Sequence, residues 1–481
     1  MKHLRNKSGL AKSLAALLIL SASFMGCKKK DDCSTECQNG GVVNDNCNCD
    51  CPSGFTGANC ETAVTGEIKN ISGDITASTT WNAINTYVLN GFVYVKAPAV
   101  LTIEAGTKIR GDKSSKGTLI IERGAQIMAV GTASNPIVFT SNEPAGQRDY
   151  GDWGGVIICG NAPVNLPGGE GIIEGGTNAS FGGGLSPNAN DNSGKLKYVR
   201  IEFCGIAFQP NQEINGLTLG GVGSGTEIDY IQVSYSGDDS YEMFGGTVNL
   251  KHIIAFRGWD DDFDTDNGFS GNVQFGVGLR DPNIADQSGS NGFESDNDGS
   301  GTTATPITHP IFSNMSLFGP QVNSGTSINT LFKRAAHLRR NTKTCIYNSI
   351  LTGYPTGLLI DGTLTETNAD NADLQFRNNV IAGCASNLEV VSGSTWDITT
   401  WFNTAGFNNA IYANNSDLMI TDPYNLDGPN FLPGAGSPVL TGADFTNSNL
   451  SGFEQVNYKG AFGATDWTSG WSNWNPQNTN Y

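Results

Sequence analysis

The sequence predicts an all-β solenoid in which short strands stack in successive coils. From about residue 93 onward, strands of three to six residues, rich in β-branched side chains, alternate with turns. No convincing amphipathic helix of useful length interrupts them. The chain has 481 residues and 62 glycines, and 15% of its residues are charged. It can therefore bury a large core while remaining rich in turns.

An internal repeat supports the solenoid. Residues 101–109 and 119–127 superimpose at an offset of 18, with Leu, Ile, Glu, Gly and Ile in common. Repeats of about 18 to 30 residues suit a solenoid, because each coil buries its apolar face on its neighbours. We expect further strands at residues 156–158, 198–203, 230–235, 252–256, 273–277, 311–317, 345–351 and 374–381.

These strands, with Trp-Gly-Gly-Val-Ile-Ile-Cys-Gly-Asn at 153–161 and Gly-Ala-Gly-Ser-Pro-Val-Leu at 434–440, resemble right-handed parallel β-helix proteins of the pectin-lyase-like class. The resemblance implies a parallel β-helix over about residues 93–440. A β-sandwich array is the alternative. We expect residues 62–92 to be a linker and N-terminal cap. Residues 441–481 are expected to form a C-terminal cap, since a terminal coil exposes strand edges; a sugar-stacking patch is the alternative for their tryptophans.

The N-terminus predicts a secreted, lipid-anchored protein. Four basic residues precede an apolar run at 14–25 that is too short for a membrane span, which indicates a signal peptide over 1–26. Its end resembles the lipobox of bacterial lipoproteins, with Phe24 where Leu is usual, and implies a lipid on Cys27. Residues 28–32, Lys-Lys-Lys-Asp-Asp, resemble the tag that exports lipoproteins of Bacteroidota to the cell surface. The implied location is the outer membrane, facing the exterior, with residues 27–32 as tether; an ordinary charged tether is the alternative.

Six cysteines in under thirty residues indicate a disulfide scaffold, because so short a module cannot fold on burial alone. The stretch from Cys49 to Cys60 resembles an EGF-like domain, which we place at residues 33–61. The resemblance implies the pairs Cys33–Cys47, Cys37–Cys49 and Cys51–Cys60. Zinc is the competing explanation, weakened by the absence of histidine from the module. The other four cysteines, at 159, 204, 345 and 384, lie in or beside apolar strands and are expected to be buried inside the solenoid; an added disulfide or a reactive thiol is the alternative.

Carboxylates recur at one place in a repeated unit. Ser240-Tyr241-Glu242, Asp262-Phe263-Asp264 and Gly292-Phe293-Glu294 each place an aromatic residue before a carboxylate, at offsets of 22 and 30. Equivalent carboxylates on adjacent coils would lie about 4.8 Å apart. Charges so close raise each other's pKa or recruit a cation, and Asp residues spaced beside Gly suit calcium. The predicted calcium ligands are Glu242, Asp262, Asp264, Asp266, Glu294, Asp296 and Asp298.

Charge limits the partners. The formal net charge is −18, and without residues 1–26, which hold four basic and no acidic residues, it becomes −22. Residues 236–300 include 13 acidic and 3 basic residues. Nucleic acid is therefore an improbable partner. A solvated acidic surface is the alternative explanation for the charge alone.

The next repeat, Lys333-Arg334-Ala-Ala-His337-Leu338-Arg339-Arg340, places basic side chains after the acidic ones. Polysaccharide lyases of this fold hold a uronate through calcium and use Arg or Lys as base. The resemblance implies Asp264, Asp266, Glu294 and Asp296 as ligands, Arg339 or Arg340 as base and His337 as runner-up. No lyase motif matches, and the basic residues would otherwise neutralise the acidic run.

We therefore predict a surface protein that presents a calcium-binding face to a glycan or to another outer-membrane protein. The alternatives are a calcium-dependent polysaccharide lyase or glycoside hydrolase acting on extracellular polysaccharide, and an accessory subunit.

Overall fold

A computed structural model describes residues 33–51, 54–209 and 212–481. The chain divides into two compact units, one ending at Val64 and the other spanning Thr65–Tyr481. The predicted signal peptide, Cys27 and the tether at 27–32 lie outside the described residues. Within the described ranges, no helix has the length and apolar character needed to cross a membrane.

The first unit is a small module held by disulfides. Two antiparallel hairpins, Val42–Val43 with Cys49–Asp50 and Phe55–Thr56 with Thr62–Ala63, form its regular structure. The three disulfides are Cys33–Cys47, Cys37–Cys49 and Cys51–Cys60. These are the pairs that the resemblance implies.

The second unit is a right-handed parallel β-helix, in which one sheet of 27 strands forms three parallel ladders. Ladder A comprises Thr118–Ile121, Gly155–Cys159, Leu217–Gly220, Tyr241–Phe244, Phe263–Asp266, Phe293–Ser295, Arg334–Leu338, Thr356–Ile360 and Ser386–Val390. Ladder B includes Thr79–Trp81, Val100–Ile103, Gln126–Val130, Ile311–Ser313, Cys345–Tyr347 and Gln375–Arg377. Ladder C includes Lys108–Gly111, Ile137–Ser141, Ser316–Phe318, Ile350–Thr352, Val380–Ala382 and Ala410–Tyr412.

Six longer strands pass through two ladders each. Gly194–Glu202, Glu227–Ser234, Asn249–Phe256 and Asn272–Leu279 run through B and C, and Ile68–Ile75 and Thr86–Val95 run through C and A. The inward side chains of all three ladders form one continuous apolar core. Each of the eight strand segments predicted from the sequence falls on these strands.

The corner between ladders B and C is made by single residues with left-handed backbone. Tyr198, Tyr230, His252 and Phe275 have φ between 50° and 60°, a conformation that costs a non-glycine residue about 1–2 kcal/mol. Their rings stack from coil to coil, with centroids 4.4, 4.3 and 5.3 Å apart. Stacking of this kind, worth about 0.5–1.5 kcal/mol a pair, offsets part of that cost.

The 18-residue repeat is not the length of a coil. Leu101 lies on ladder B and pairs with Ile127, whereas Leu119 lies on ladder A and pairs with Val93. The two similar segments are corners of the same strand–Gly–strand form, the first from ladder B to C and the second from A to B, displaced by two sides of the triangle. The parallel sheet begins at Ile68, inside the stretch expected to be linker and cap, and its last strand ends at Tyr412.

The end of the core is covered by residues before 441. Of the two short α-helices, Thr363–Asp370 and Ile398–Phe402, the second places buried Trp401 and Phe402 on the core, with Phe402 against Phe376 of ladder B. The expected C-terminal cap at 441–481 instead runs back along the outside of the β-helix, and we call it the C-terminal strap. It bonds to successively earlier coils through Asp444 with Asn348, Glu454 with Gln274, Asn473 with Gln232, and Tyr481 with Glu202.

The remaining elements are short. Antiparallel pairs join Gly171–Ile172 with Ser180–Phe181, Ile206–Gln209 with Gln212–Ile214, and Ile420–Asp422 with Asn430–Pro433. Single 3-10 turns span Pro167–Gly169, Asn415–Leu418, Pro438–Leu440, Ser448–Leu450 and Pro476–Asn478. Cys159, Cys204 and Cys345 are free and buried, and Cys384 is free and half-buried. Burial raises the pKa of the Cys159 thiol to about 12, so it is a packing residue.

Candidate functional site

Three carboxylates occupy one position on three neighbouring strands of ladder A. Glu242 pairs with Asp264, and Asp264 pairs with Glu294, in parallel register. The predicted offsets of 22 and 30 are therefore true coil lengths. On either side, the same position holds Thr218 and His337. The acidic run is thus three strands long and ends at a histidine.

The turns that lead from ladder C into ladder A bring in four more carboxylates. Asp238 and Asp239 precede Glu242, and Asp260 and Asp261 precede Asp264. Oxygens of three triplets lie within 4.8 Å of one another: Asp238, Asp239 and Asp260; Asp239, Glu242 and Asp264; Asp261, Asp264 and Glu294. Because the triplets share Asp239 and Asp264, we call these seven residues the acidic cluster.

Asp239 and Asp261 also belong to a structural ladder of side chains. The N–H of Asp239 donates to Asn215 Oδ1 at 3.1 Å, the N–H of Asp261 donates to Asp239 Oδ1 at 2.7 Å, and the N–H of Asn291 donates to Asp261 Oδ1. Asn215 shows that an amide fills this structural role. The charge of the two aspartates is therefore not needed to hold the turns together.

Sequence reasoning missed these turn residues, although a signal was present. Asp239, Asp261 and Asn291 precede Glu242, Asp264 and Glu294 by three positions each, and so recur at the same two offsets. Attention to the aromatic–carboxylate pair directed the prediction to Asp262 instead of Asp261.

Asp239, Glu242 and Asp261 of the acidic cluster are buried, its other four members are partly buried, and the cluster is short of counter-charge. Burial raises the pKa of Asp239, Glu242, Asp261 and Asp264, and the charges of neighbouring carboxylates raise each pKa further. Glu242 is 5% exposed. Asp264 Oδ1 is buried and accepts no hydrogen bond from the described residues, a situation that costs about 1–3 kcal/mol. A bound proton or cation would relieve this cost.

Four predicted ligands lie outside the cluster: Asp262, Asp266 and Asp298, and also Asp296, whose ion pairs are described below. Asp262 is fully buried in an ion pair with Arg280 at 2.9 Å. Asp298 accepts from the N–H of Thr302 at 3.1 Å, and although burial raises its pKa, hydrogen bonds from Thr302 lower it more, so that the net shift is downward. Asp266 accepts a hydrogen bond from the N–H of Asn267, and burial raises its pKa to about 7.

Residues 73–422 match the family described as the pectate-lyase-like β-helix domain. The chain belongs to this family. The matched range contains the whole acidic cluster and most of the three ladders. No curated protein matches the chain.

In this pectate-lyase-like β-helix, the basic residues that follow the acidic run contact its carboxylates. Arg339 pairs with Glu294 and, at 2.7 Å, with Asp296; Arg340 pairs with Asp296 at 2.7 Å. His337 lies 3.3 Å from Glu294. Burial lowers the pKa of Arg339, but its hydrogen bond to Asp296 and the nearby carboxylate charges raise it more, so Arg339 stays protonated.

The same contacts explain why Glu294 differs from the rest of the acidic cluster. Burial raises its pKa, but the hydrogen bond with His337 and the charge of Arg339 lower it more, so that the pKa of Glu294 lies below its ordinary value. Asp296, 4% exposed, is likewise paired. The excess negative charge therefore concentrates at the other end of the run, around Asp239, Glu242 and Asp264.

An exposed aromatic residue precedes the second pair of turn carboxylates in the sequence. Trp259 directly precedes Asp260, and 37% of its surface is exposed. Its ring stacks on that of Tyr150, with centroids 5.6 Å apart and an interplanar angle of 24°. A flat apolar ring beside polar oxygen atoms is a surface on which a sugar ring can stack.

Proposed function

We propose that this protein binds calcium in the acidic cluster and uses the cation to hold a polysaccharide. One observation carries the proposal. Asp239 and Asp261 stand where asparagine would serve the fold equally, and between them Asp264 has a buried oxygen without a partner. Calcium takes six to eight oxygen ligands at about 2.3–2.6 Å and tolerates irregular geometry. Asp239, Glu242 and Asp264 would supply the first of these.

The glycan part of the proposal is supported by what surrounds the cluster. Calcium bound at a surface keeps coordination positions for carboxylate or hydroxyl oxygens of a ligand. Trp259 offers a stacking surface next to Asp260. The family match indicates a fold used on polysaccharides.

Binding is better supported than lyase chemistry. Abstraction of a proton requires a base that is free to accept it. Arg339, Arg340 and His337 are each paired with a carboxylate, at 2.7 Å for Arg339 and Arg340 and 3.0 Å for His337 with Asp361. The positions of Arg339 and Arg340 support the role of counter-ions to the acidic run.

A calcium-dependent polysaccharide interaction is the direct test. We expect an immobilised acidic polysaccharide to retain the protein in calcium and to release it in chelator. Trp259→Ala should weaken retention about three- to tenfold, as expected for the loss of one ring contact of about 0.5–1.5 kcal/mol. Glu454→Gln, on an exposed carboxylate of the strap, is the matched control and should leave retention unchanged. Retention that is equal with and without chelator would contradict the proposal.

Calcium affinity should depend on pH. The raised carboxyl pKa values, about 6 for Asp260 and well above normal for Asp239, Glu242 and Asp264, mean that the calcium-free fold retains protons that the unfolded chain has lost. Its stability therefore falls as the pH rises above about 4, the ordinary carboxyl pKa, and through about 6, where Asp260 loses its proton, while calcium affinity rises because calcium displaces those protons. Calorimetric titration in buffers of different ionisation enthalpy should detect the released protons. An affinity that does not change over this range would count against the cluster as the site.

We also propose that the protein is anchored to the outer membrane by a lipid on Cys27, faces the exterior, and carries an EGF-like module at residues 33–61. Cys27→Ala should then release the protein from the membrane fraction, because the proposed lipid on Cys27 is what attaches it. Added protease should degrade the wild-type protein on intact cells. Membrane retention of Cys27→Ala, or full protection from protease, would refute the location.

A further inference from the structure

Arg280 is a buried cation next to the acidic cluster that does not pair with any carboxylate of the cluster. It follows the strand Asn272–Leu279 and is 1% exposed. Its Nη1 donates to Asp262 at 2.9 Å, and its Nη2 donates to the carbonyl oxygens of Trp259, at 3.5 Å, and of Asp260. One guanidinium therefore binds three groups of a single turn, two backbone carbonyls and one carboxylate.

That turn carries half of the turn carboxylates in the acidic cluster. Asp260 and Asp261 lie between the carbonyl of Trp259 and the side chain of Asp262, the outer points that Arg280 holds. Asp260 contributes to the first triplet and Asp261 to the third. The positions of both carboxylates thus depend on the conformation of this turn.

We infer that Arg280 is a positioning residue for the cation site. It holds the turn from Trp259 to Asp262 in place, so that the carboxylates of Asp260 and Asp261 already lie beside the rest of the acidic cluster before a cation binds. The inference rests on the proposed calcium binding. An unfixed turn would have to be ordered on binding, at a cost in conformational entropy that lowers the affinity. Holding the turn in advance therefore raises the affinity.

Neutralising the charge of Asp262 does not by itself explain why position 280 is an arginine. Its pairing with Asp262 makes a buried, neutral couple, and such couples are often replaceable by apolar residues without loss of stability. Lysine would keep the charge, but its single ammonium lacks the planar fork that reaches two carbonyls and a carboxylate together. Arg339 shows the contrast: it binds Glu294 and Asp296 directly and so competes with a cation, whereas Arg280 pairs with Asp262 and makes no ion pair with Asp260 or Asp261.

The test is calorimetric titration of calcium into the calcium-free full chain, well below its melting temperature, for wild type and three variants. Arg280→Lys keeps the charge and loses the fork. Arg280→Met/Asp262→Ala removes both charges, so no unpaired buried charge remains. Phe376→Ala, on a fully buried core residue of the last ladder B strand, destabilises the fold away from the cluster.

We expect calcium affinity to fall about tenfold in Arg280→Lys and in the double variant, and to be unchanged in Phe376→Ala although its melting temperature falls. Wild-type affinity in both Arg280 variants, whatever their stability, would overturn the positioning role and leave the calcium proposal standing. Equal loss of affinity in Phe376→Ala would show a general effect of stability and would also overturn it. Absence of calcium binding in the wild type would overturn both proposals.

Discussion

Removal of calcium is expected to lower the melting temperature of the full chain, and the double variant Asp239→Asn/Asp264→Asn is expected to be insensitive to calcium. A ligand that binds only the folded state stabilises it by about 2.7 kcal/mol at a hundred times its dissociation constant. Asparagine at 239 keeps the oxygen that accepts the N–H of Asp261. The variant therefore removes charge while preserving the turn.

The calcium-free double variant should also melt above the calcium-free wild type. Neutral amides remove the repulsion between buried carboxylates that raises the pKa of Asp239 and Asp264. Differential scanning calorimetry of both proteins, with calcium and with chelator, measures the four melting temperatures. Glu454→Gln is the control for a change of one surface charge. Superimposable wild-type transitions with and without chelator would show that the cluster is only a charged surface.

Trp471→Ala is expected to destabilise the β-helix by about 3–5 kcal/mol, the range for truncating a buried large aromatic side chain. Trp471 belongs to the C-terminal strap, is 1% exposed, and packs edge-on against Tyr230 at 5.8 Å. With its neighbours it covers an apolar outer surface of ladder C that includes Phe256 and Leu279. Loss of the ring opens this second core.

The measurement for Trp471→Ala is denaturant unfolding of the full chain in chelator, so that calcium linkage does not contribute. Leu185→Ala is a matched control, because Leu185 is 97% exposed and truncation there should change the free energy of unfolding by about 0.5 kcal/mol or less. A loss below about 1 kcal/mol in Trp471→Ala would mean that the strap is loosely attached.

The pairing of strands around the acidic run could be predicted from the sequence. In each of these ladder A strands an aromatic side chain points into the core and the carboxylate that follows it points away from the core. Tyr241 and Phe263 are buried in the core, while Glu242 and Asp264 face the other side. An aromatic residue followed by a carboxylate therefore indicates both where the strand lies and which of its side chains point inward. The in-and-out alternation of the strand does not reach Asp239 and Asp261, which lie in the turns before it; their recurrence at the same offsets of 22 and 30 is the signal that the sequence offers for them. Their role as backbone acceptors is visible only in three dimensions.

Other parts of the structure escaped prediction for related reasons. The 18-residue repeat has the sequence pattern of a corner, and a triangular coil has more than one corner of the same kind. Sequence similarity between the two segments therefore did not show that Leu101 and Leu119 lie on different ladders. The strap has no repeat because it crosses the coils instead of forming one. Arg280 and Asp262 lie 18 positions apart, and nothing in their sequence neighbourhoods indicates that they pair.

Diffraction from crystals grown in calcium, or soaked in a lanthanide that replaces it, tests the central claim most directly through anomalous scattering. We expect a peak within about 2.3–2.6 Å of carboxylate oxygens of Asp239, Glu242 and Asp264, and no peak there in Asp239→Asn/Asp264→Asn. A wild-type map without anomalous signal among these three residues, at a calcium concentration that protects against melting, would contradict the account.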